Sequence, residues 1–404
     1  MLKNELELPV FTQLEMEDCC GCEACRNICP SQAICMTENE EGFLYPSLDK
    51  NKCIKCDRCI MVCPLLKEKK HLKIKQQYYA GYSQNKLVVE QSSSGGMFTI
   101  IVDEFLNEYP DGYISGVIWK DDFKGTKHIC TNDIKKLLDL RRSKYIQSEK
   151  GDIYKQIKAL LNDNQAVLFV GLPCETAGLI SYLGNKKYVK LLVLDLVCQG
   201  PTSPKAMQQF VDGIEKKYHS SIKYINMRYV GGKEWIPQWM NIKFLNGKDI
   251  YKVFYETDIG RAVHIMQRKS CYKCRFNGEN RYSDLTIGDY HGVNSLKDYY
   301  NRMGTSIALV NSIKGIKMLE KIIKKENVIL EQVPLKDIVK SNPRILTHNN
   351  IHPKRELYTK YFKKYGLKKA NKISRTIEDR LRIAIPYKIR PIVSKCVCIL
   401  RKIV

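Results

Sequence analysis

Residues 165–184 read QAVLFVGLPCETAGLISYLG, and this stretch decides the class of fold. Its first nine residues form an apolar run that is typical of a buried strand. The rest, which begins at Cys174, has apolar residues at helical spacing and stops at Gly184. A strand followed directly by a helix predicts one unit of an α/β fold.

The same alternation continues on both sides of this stretch. GYISGVIW at residues 112–119 and KLLVLDLVCQG at residues 190–200 are further buried-strand patterns, and DIYKQIKALLND at residues 152–163 has helical spacing. Because strands and helices alternate in this way, we predict an α/β domain with a largely parallel sheet over residues 76–345.

The first 75 residues differ, since they contain ten cysteines and little periodic hydrophobicity. Such a segment buries too little apolar surface to fold by that alone, and we expect bound metal to hold it together. Eight of the cysteines fit the spacing C-x2-C-x2-C-x3-C-P in two copies: Cys19, Cys22, Cys25 and Cys29, then Cys53, Cys56, Cys59 and Cys63. Bacterial ferredoxins with two [4Fe–4S] clusters have this spacing.

In that motif the fourth cysteine of each copy binds the other cluster. We therefore predict a ferredoxin-type α+β domain over residues 1–75, with two clusters whose ligands are Cys19, Cys22, Cys25 and Cys63 for one and Cys53, Cys56, Cys59 and Cys29 for the other. Zinc is the alternative, because four thiolates also suit a tetrahedral site, but zinc modules usually pair C-x2-C units across a longer gap. Cys20 and Cys35 fall outside the spacing and are interpreted as non-ligands.

Four further cysteines lie in the predicted α/β domain: Cys174, Cys198, and the C-x2-C pair Cys271 and Cys274. The first two each follow an apolar strand, which places them at carboxyl ends of strands, where open α/β sheets bind ligands. Cys174 also begins a helix, whose N-terminus stabilises a thiolate. The four are enough for a third [4Fe–4S] cluster. In the competing interpretation Cys174 is a redox or nucleophilic thiol, and the C-x2-C pair binds something separately.

Six motifs together resemble the beta subunit family of coenzyme F-420 hydrogenases and dehydrogenases, and most closely its bacterial members with a fused N-terminal ferredoxin domain. They are SSSGGMFT, RRSKYIQS, FVGLPCETAGL, LDLVCQGPTSP, RKSCYKCRF and RYSDLTIGDYHG. The resemblance runs from about residue 19 to about residue 330. It implies an iron–sulfur flavoprotein oxidoreductase that binds FAD, and a core cluster held by Cys174, Cys198, Cys271 and Cys274.

The resemblance leaves the substrate open. It implies a small molecule, either coenzyme F-420-like or a sugar-linked intermediate of surface polysaccharide synthesis, with ferredoxin or another reductase subunit as redox partner. The alternative is an electron-transfer subunit that connects ferredoxin to a separate catalytic protein and has no substrate of its own. Gln199, where many relatives have His, and Tyr290–His291, in place of a frequent Phe–Trp, put substrate contacts in doubt.

A flavin site is expected where SSSGG, residues 92–96, precedes a helical pattern. Small residues at a helix N-terminus leave N–H groups that suit a pyrophosphate, although a plain helix cap explains them too. With the resemblance, the predicted FAD contacts are Ser94, Gly95, Gly96, Lys144, Tyr145, Ser148 and Asp289. His264 and His291 are candidate proton donors, with a structural role as the more frequent alternative; no catalytic residue is assigned.

The net charge of +24 is unevenly distributed, since residues 351–404 carry 16 Lys and Arg against three acidic residues. We predict a basic amphipathic helical tail over residues 346–404 that packs on the body, lies on an anionic membrane surface or docks an acidic ferredoxin. The sequence contains no motif that would bind in a groove of DNA or RNA, so no nucleic-acid partner is expected. The first residues lack the apolar region of an export signal, and no apolar run is long enough to span a bilayer. We therefore expect a cytoplasmic location. If the tail binds the membrane, the protein would lie on the inner membrane surface.

Overall fold

The computed structural model of the chain describes residues 8–68, 74–231, 234–385 and residue 387. The strands are β1 (Ile34–Glu38), β2 (Leu44–Leu48), β3 (Gln77–Ser83), β4 (Tyr113–Trp119), β5 (Thr126–Thr131), β6 (Ser148–Glu149), β7 (Val167–Gly171), β8 (Leu191–Leu196), β9 (Ile222–Tyr229), β10 (Trp239–Phe244), β11 (Asp249–Val253), β12 (Leu285–Asp289), β13 (Ser306–Val310) and β14 (Val328–Gln332).

The helices are α1 (Ala24–Ile28), α2 (Arg58–Met61), α3 (Lys86–Glu90), α4 (Met97–Glu108), α5 (Ile134–Leu140), α6 (Ile153–Asn162), α7 (Pro173–Leu183), α8 (Pro204–Tyr218), α9 (Asp258–Ile265), α10 (Ile313–Ile323), α11 (Leu335–Ser341), α12 (Arg355–Tyr365), α13 (Leu367–Ser374) and α14 (Ile377–Ala384). Short 3-10 turns cover Pro9–Thr12, Met16–Asp18, Phe254–Glu256, Lys269–Lys273 and Pro343–Ile345. None of the described helices is long and apolar enough to cross a membrane.

A nine-stranded sheet with the order β14-β3-β13-β12-β8-β7-β4-β5-β6 organises the body. Four of its eight strand pairings are parallel, and four are antiparallel. The sheet is therefore mixed, and the prediction of a largely parallel sheet was wrong. The physical reason lies in the connections. A crossover helix, α7, joins the parallel pair β7 and β8, whereas β4 is joined to antiparallel β5 by only residues 120–125.

The stretch at residues 165–184 forms the strand and helix that its pattern predicts, β7 and α7, at the centre of this sheet. Alternate residues of β7 belong to different apolar clusters, because successive side chains of a strand point to opposite faces. Val167 and Phe169 pack with α6 and α7. Leu168 and Val170 pack with α4 and α10. The sheet is thus covered by helices on both faces, which confirms the α/β class.

In the N-terminal segment the repeated cysteine spacing produces a repeated local geometry. Each motif ends in a short helix, α1 or α2, that is preceded by a residue in the left-handed region: Glu23 at φ 62° and Asp57 at φ 54°. Strands β1 and β2 form a separate antiparallel pair between the two motifs. The ferredoxin-type fold of this segment stays a prediction.

A second apolar cluster joins three parts of the chain around the antiparallel sheet β11-β10-β9. It contains Phe43 and Tyr45 from the N-terminal segment, and Tyr358, Phe362 and Leu367 from α12 and α13. Residues 355–374 of the predicted tail therefore form amphipathic helices that pack on the body. Residues 388–404 of the predicted tail lie outside the described residues.

Candidate functional site

The four cysteines predicted for the core cluster line one cavity of about 280 Å³. Cys174 lies in the first turn of α7, directly after β7, and Cys198 follows the end of β8. Cys271 and Cys274 come from the 3-10 turn after α9. Because β7 and β8 are parallel neighbours, their carboxyl ends bring the first two cysteines to one edge of the sheet, and the turn closes the cavity from outside.

Burial raises the pKa of the Cys198, Cys271 and Cys274 thiols, and the neighbouring cysteines of the set raise it further. Four thiolates confined in one buried cavity would repel each other and lack solvation. A positively charged metal group offsets both costs, because metal binding deprotonates a thiol outright. The donor set therefore fits a metal group better than it fits four free thiolates.

The first cysteine site consists of Cys19, Cys22, Cys25 and Cys63. Burial raises the pKa of Cys25 well above its usual range, and Cys22, Cys19 and Cys63 are among the nearby groups that raise it further. Burial, followed by Cys22, also raises the pKa of Cys63 to about 12. Cys63 of the second motif therefore lies near Cys22 and Cys19 of the first motif. The division of the eight cysteines between two clusters stays a prediction.

The second cysteine site consists of Cys29, Cys53, Cys56 and Cys59, which line another cavity together with the apolar side chain of Ile54. The Cys29 sulfur accepts a hydrogen bond from the backbone N–H of Ala33 at 3.3 Å. In the described ranges of the chain, no group of three or more His, Cys, Asp or Glu side chains forms a site for a single metal ion.

The first cysteine site and the core cavity are neighbours. Cys63 of the former and Cys174 and Cys274 of the latter pack against the same small apolar cluster, around Leu65 and Phe276. Cys20, a non-ligand by its spacing, lines the core cavity, and the neighbouring thiols of Cys174 and Cys22 both raise its pKa. It therefore bridges the two groups of predicted ligands.

Sequence reasoning missed Arg268, a buried guanidinium between the same two groups. Its Nε donates to the carbonyl of Cys19 at 2.7 Å, and its Nη1 donates to the carbonyl of Leu44 at 2.9 Å. Its Nη2 has no hydrogen-bond partner in the described structure, and the residue lines the core cavity. An unsatisfied cationic donor beside four cysteines fits an anionic guest such as an iron–sulfur cluster. The only signal in the sequence is its place three residues before Cys271.

A buried polar network lies beside Cys174 and was also not predicted. Lys150 Nζ is 2.5 Å from Glu175 Oε1, and His128 Nε2 is 3.7 Å from Glu175 Oε2. Ser148, a predicted FAD contact, hydrogen-bonds here with His128 Nδ1 at 3.2 Å and Glu175 Oε1 at 3.3 Å. Burial lowers the pKa of His128 to about 4. The backbone N–H of Lys150 donates to Glu23 at 2.9 Å, which ties this network to the first cysteine motif.

Two of the predicted flavin residues converge on Arg228, a strand residue with no distinguishing sequence signal. Its Nη1 donates to Asp289 Oδ2 at 2.8 Å and to the Tyr145 hydroxyl at 3.0 Å. Burial alone would lower the pKa of Arg228, but Asp289 and then Tyr145 raise it. We call the following group the Arg228 cluster: Ser93, Tyr145, Arg228, Trp235, Asp289 and His291.

Trp235 and Ser93 complete that cluster. The Trp235 indole N–H and Arg228 Nη2 both donate to the carbonyl of Ser93, at 3.0 and 3.1 Å. His291 stacks on Trp235 with ring centroids 4.9 Å apart, and its Nε2 is 3.6 Å from Asp289 Oδ2. The other candidate proton donor, His264, lies against His352 and Tyr255 instead.

The SSSGG loop passes beside this cluster and ends at Gly96, which begins α4 at φ 91°. No side chain caps this helix. Ser94 Oγ donates to the carbonyl of Thr305 at 2.8 Å. Gly95 packs so closely on the carbonyl of Gly81 that a Cβ there would lie 2.5 Å from the oxygen.

Lys144 is not brought to the Arg228 cluster. Its ammonium donates to the carbonyls of Asp139 and Arg141, at 2.8 and 2.9 Å, at the end of α5. Burial lowers the pKa of Lys144 to about 7. Of the seven predicted flavin residues, the structure therefore places Tyr145 and Asp289 together, sets the loop of Ser94, Gly95 and Gly96 alongside, and puts Lys144 and Ser148 in other networks.

Residues 164–336 match a family model that describes the C terminus of the "Coenzyme F420 hydrogenase/dehydrogenase, beta subunit". Over these residues the chain is similar to that family. The matched segment contains all four cysteines of the core cavity, together with Arg228 and Asp289. This similarity indicates a redox protein, and it confirms the family resemblance.

Among solved structures, the chain is similar to one in "Xenon derivatization of the F420-reducing [NiFe] hydrogenase complex from Methanosarcina barkeri". The two are 14% identical, with a TM-score of 0.44, and the match covers 76% of this chain and 91% of the other. No curated protein matches the sequence.

Proposed function

We propose that this chain is an iron–sulfur flavoprotein oxidoreductase that passes electrons between three [4Fe–4S] clusters and FAD, and thereby reduces or oxidises a small molecule. The observation that carries the proposal is the convergence of Cys174, Cys198, Cys271 and Cys274 on one cavity, from three separate parts of the chain. Four cysteine thiolates are the ligand set of one [4Fe–4S] cluster. The buried, unsatisfied Nη2 of Arg268 at the same cavity supports a negatively charged guest.

The order of the cysteine sites supports an electron path. The second cysteine site is the most open, since Cys56 is exposed. Cys59 of this site packs against the same apolar cluster as Cys25 of the first site, so the two sites are neighbours. The first site adjoins the core cavity through Cys63 and Cys174. An iron–sulfur cluster, when bound, exchanges single electrons with its neighbours. The chain's own contribution is to hold the three sets of thiolates in series and to keep water from the inner two.

The residues of the SSSGG loop fit the FAD proposed here. The N-terminus of α4 has no side-chain cap, so its N–H groups would suit a pyrophosphate. Gly95 and Gly96 let this loop pack closely on Gly81 and Val88. Tyr145 and Asp289, held by Arg228, would flank the rest of the cofactor. Bound FAD supplies conversion between one-electron and two-electron transfer. Lys144 and Ser148 would reach it only by giving up their present hydrogen bonds.

The substrate proposed is a hydride acceptor or donor, either coenzyme F-420-like or a sugar-linked intermediate of surface polysaccharide synthesis, met in the cytoplasm. His291 stands beside Asp289 in the Arg228 cluster and would accept a proton there. Burial lowers the pKa of His291, so this ring is expected to be neutral near pH 7.

Anaerobic purification of the full chain, with iron and flavin quantified per chain, tests the proposal. We expect about twelve irons, four for each cluster, and one FAD. An iron content of about eight per chain would rule out the core cluster, and a protein purified without flavin would rule out the hydride chemistry. If iron and FAD are both present but dithionite supports no reduction of any F-420-like or sugar-linked compound, the chain is an electron-transfer subunit instead.

A further inference from the structure

The surface over the second cysteine site combines exposed apolar and basic side chains. Ile54 is 64% exposed and Met61 is 62% exposed, although both lie within a few residues of predicted cluster ligands. Cys56, Lys55 and Arg58 are exposed between them. We call these five residues the port surface. Single exposed apolar residues are ordinary, but two beside an exposed ligand form a contact point.

The charge around the port surface is positive. Residues 49–67 contain five Lys or Arg and two Asp. One of the two aspartates, Asp49, already pairs with Lys52 at 3.4 Å. A positive rim around an apolar centre favours an acidic protein, because charge complementarity steers the encounter and the apolar centre supplies the contact.

The other cysteine sites are less accessible to a macromolecule. Cys22 of the first site is buried, and the core cysteines are each only partly exposed around an internal cavity. Cys56 alone among the predicted ligands is exposed, and the others are partly or fully buried. An electron that arrives from another protein therefore meets the second site first.

We propose that the port surface docks an acidic one-electron carrier protein of the ferredoxin or flavodoxin class. The proposal rests on the proposed function, because it requires a cluster at the second site. In each encounter the carrier loses one electron and the cluster gains one, with no bond made or broken and no proton moved. Two encounters supply the electron pair of one hydride. The contact is small and transient, as electron-transfer interfaces generally are.

The basic helices α12 and α13 are the competing docking surface. Lys363, Lys364, Lys368 and Lys369 are exposed there. Residues 355–374, however, contain no cysteine, so a carrier bound on them would not face any predicted ligand of its own segment. One of the lysines, Lys363, is also paired with Glu40 at 2.7 Å.

The test is stopped-flow reduction of the anaerobically purified full-length holoprotein by a reduced acidic [2Fe–2S] ferredoxin. The wild-type rate should fall steeply between low and high salt, because attraction between exposed charges is screened. The double variant K55E/R58E should be about tenfold slower or more at low salt. Its iron content and its reduction by dithionite, which needs no docking, should equal those of the wild type.

Three further variants test whether the change in rate is specific to the port surface. K135E/K136E makes the same charge change on α5 and should stay within about twofold of wild type. M61S, which removes only the apolar contact, should slow ferredoxin by about threefold without altering the salt dependence. If K368E/K369E slows ferredoxin as much as K55E/R58E does, or if the wild-type rate ignores salt, the port surface is not the docking site.

Failure of the proposed function would look different. A wild-type protein that lacks the four irons of the second site would remove the cluster on which the docking depends. A fully loaded protein whose reduction by ferredoxin is insensitive to K55E/R58E would overturn the docking alone. If K55E/R58E loses iron, K55Q/R58Q replaces it, because that variant removes the two positive charges without adding negative ones. Its rate of reduction by ferredoxin and the wild-type salt dependence then decide whether the port surface is the docking site.

Discussion

The core cavity lies at the ends of β7 and β8, and the Arg228 cluster lies between the end of β12 and β9 of the smaller sheet, yet the two regions satisfy their polar groups in opposite ways. In the Arg228 cluster the guanidinium already has a carboxylate, a hydroxyl and a carbonyl as partners. In the core cavity, four thiols and the Arg268 Nη2 face space that the chain does not fill. The first is complete before any guest arrives, and the second depends on one.

This difference sets what each region should lose when it is disturbed. A site that depends on its guest should lose that guest, and the activity with it, when one ligand is removed. A site that is complete by itself should lose stability instead, because a buried charge is left without its partner. Substitutions in the core cavity and in the Arg228 cluster test the two regions separately, and substitutions at His128 and Cys20 test the residues that adjoin them.

The largest effect is expected at the core cavity, for Cys271→Ala. Removing one of four ligands should lower the iron content from about twelve to about eight per chain and abolish turnover with dithionite. The matched control is Cys130→Ala, since Cys130 is another partly buried cysteine that belongs to none of the three sites. Iron and acid-labile sulfide assays on both variants provide the measurement. Equal iron in C271A and wild type would contradict a core cluster.

At the Arg228 cluster, Asp289→Asn should keep the iron content and destabilise the fold. It leaves Arg228 buried beside a neutral amide, and breaking a buried pair in this way costs about 3–5 kcal/mol. The cost should fall toward the lower end, because the Asp289 side chain is 21% exposed. Denaturant unfolding measures it. The control is Glu108→Gln, which breaks the exposed ion pair with Lys321 and should lower the free energy of unfolding by under about 1 kcal/mol. An equal loss of stability in the two variants would contradict the larger contribution of the buried Arg228–Asp289 pair.

The buried network beside Cys174 predicts a pH dependence of stability. Burial lowers the pKa of His128 to about 4, below the ordinary value of 6.5. Between these pH values the unfolded chain binds the proton and the folded chain does not, so the free energy of unfolding falls as pH falls from about 6.5 to about 4. The full loss is about 3 kcal/mol. His128→Gln should flatten this window in urea titrations, and an unchanged slope would contradict the assignment.

The two regions also differ in how far the sequence could predict them. Cysteine type and spacing left two interpretations of these four residues open, the family resemblance implied a common cluster, and the structure brings the four together at the core cavity. The strand and helix of residues 165–184 were predictable from periodicity. Sheet direction was not, because a buried-strand pattern is the same in either orientation and the connections decide.

Hydrogen-bond partners that are distant in sequence were beyond such reasoning. Lys144, Tyr145 and Ser148 are close along the chain, yet they join three different networks, because each side chain leaves the backbone in its own direction. Arg228 had no local signal and Arg268 only its place near Cys271, since the hydrogen-bond partners of both lie more than sixty residues away. A cluster of this kind is defined by long-range contacts and not by a motif.

The smallest effect is expected for Cys20→Ser, which tests whether the bridge between the first cysteine site and the core cavity is a ligand. Cys20 touches Cys22 and Cys174 but stands outside both sets of four. A serine hydroxyl can replace a thiol in such contacts, so the variant should keep about twelve irons and lose at most about 1 kcal/mol of stability. Cys22→Ser, two residues away, is the matched control and should lose about four irons. If C20S loses iron to the same extent, Cys20 is a ligand, and the division between the two sites has to be redrawn around it.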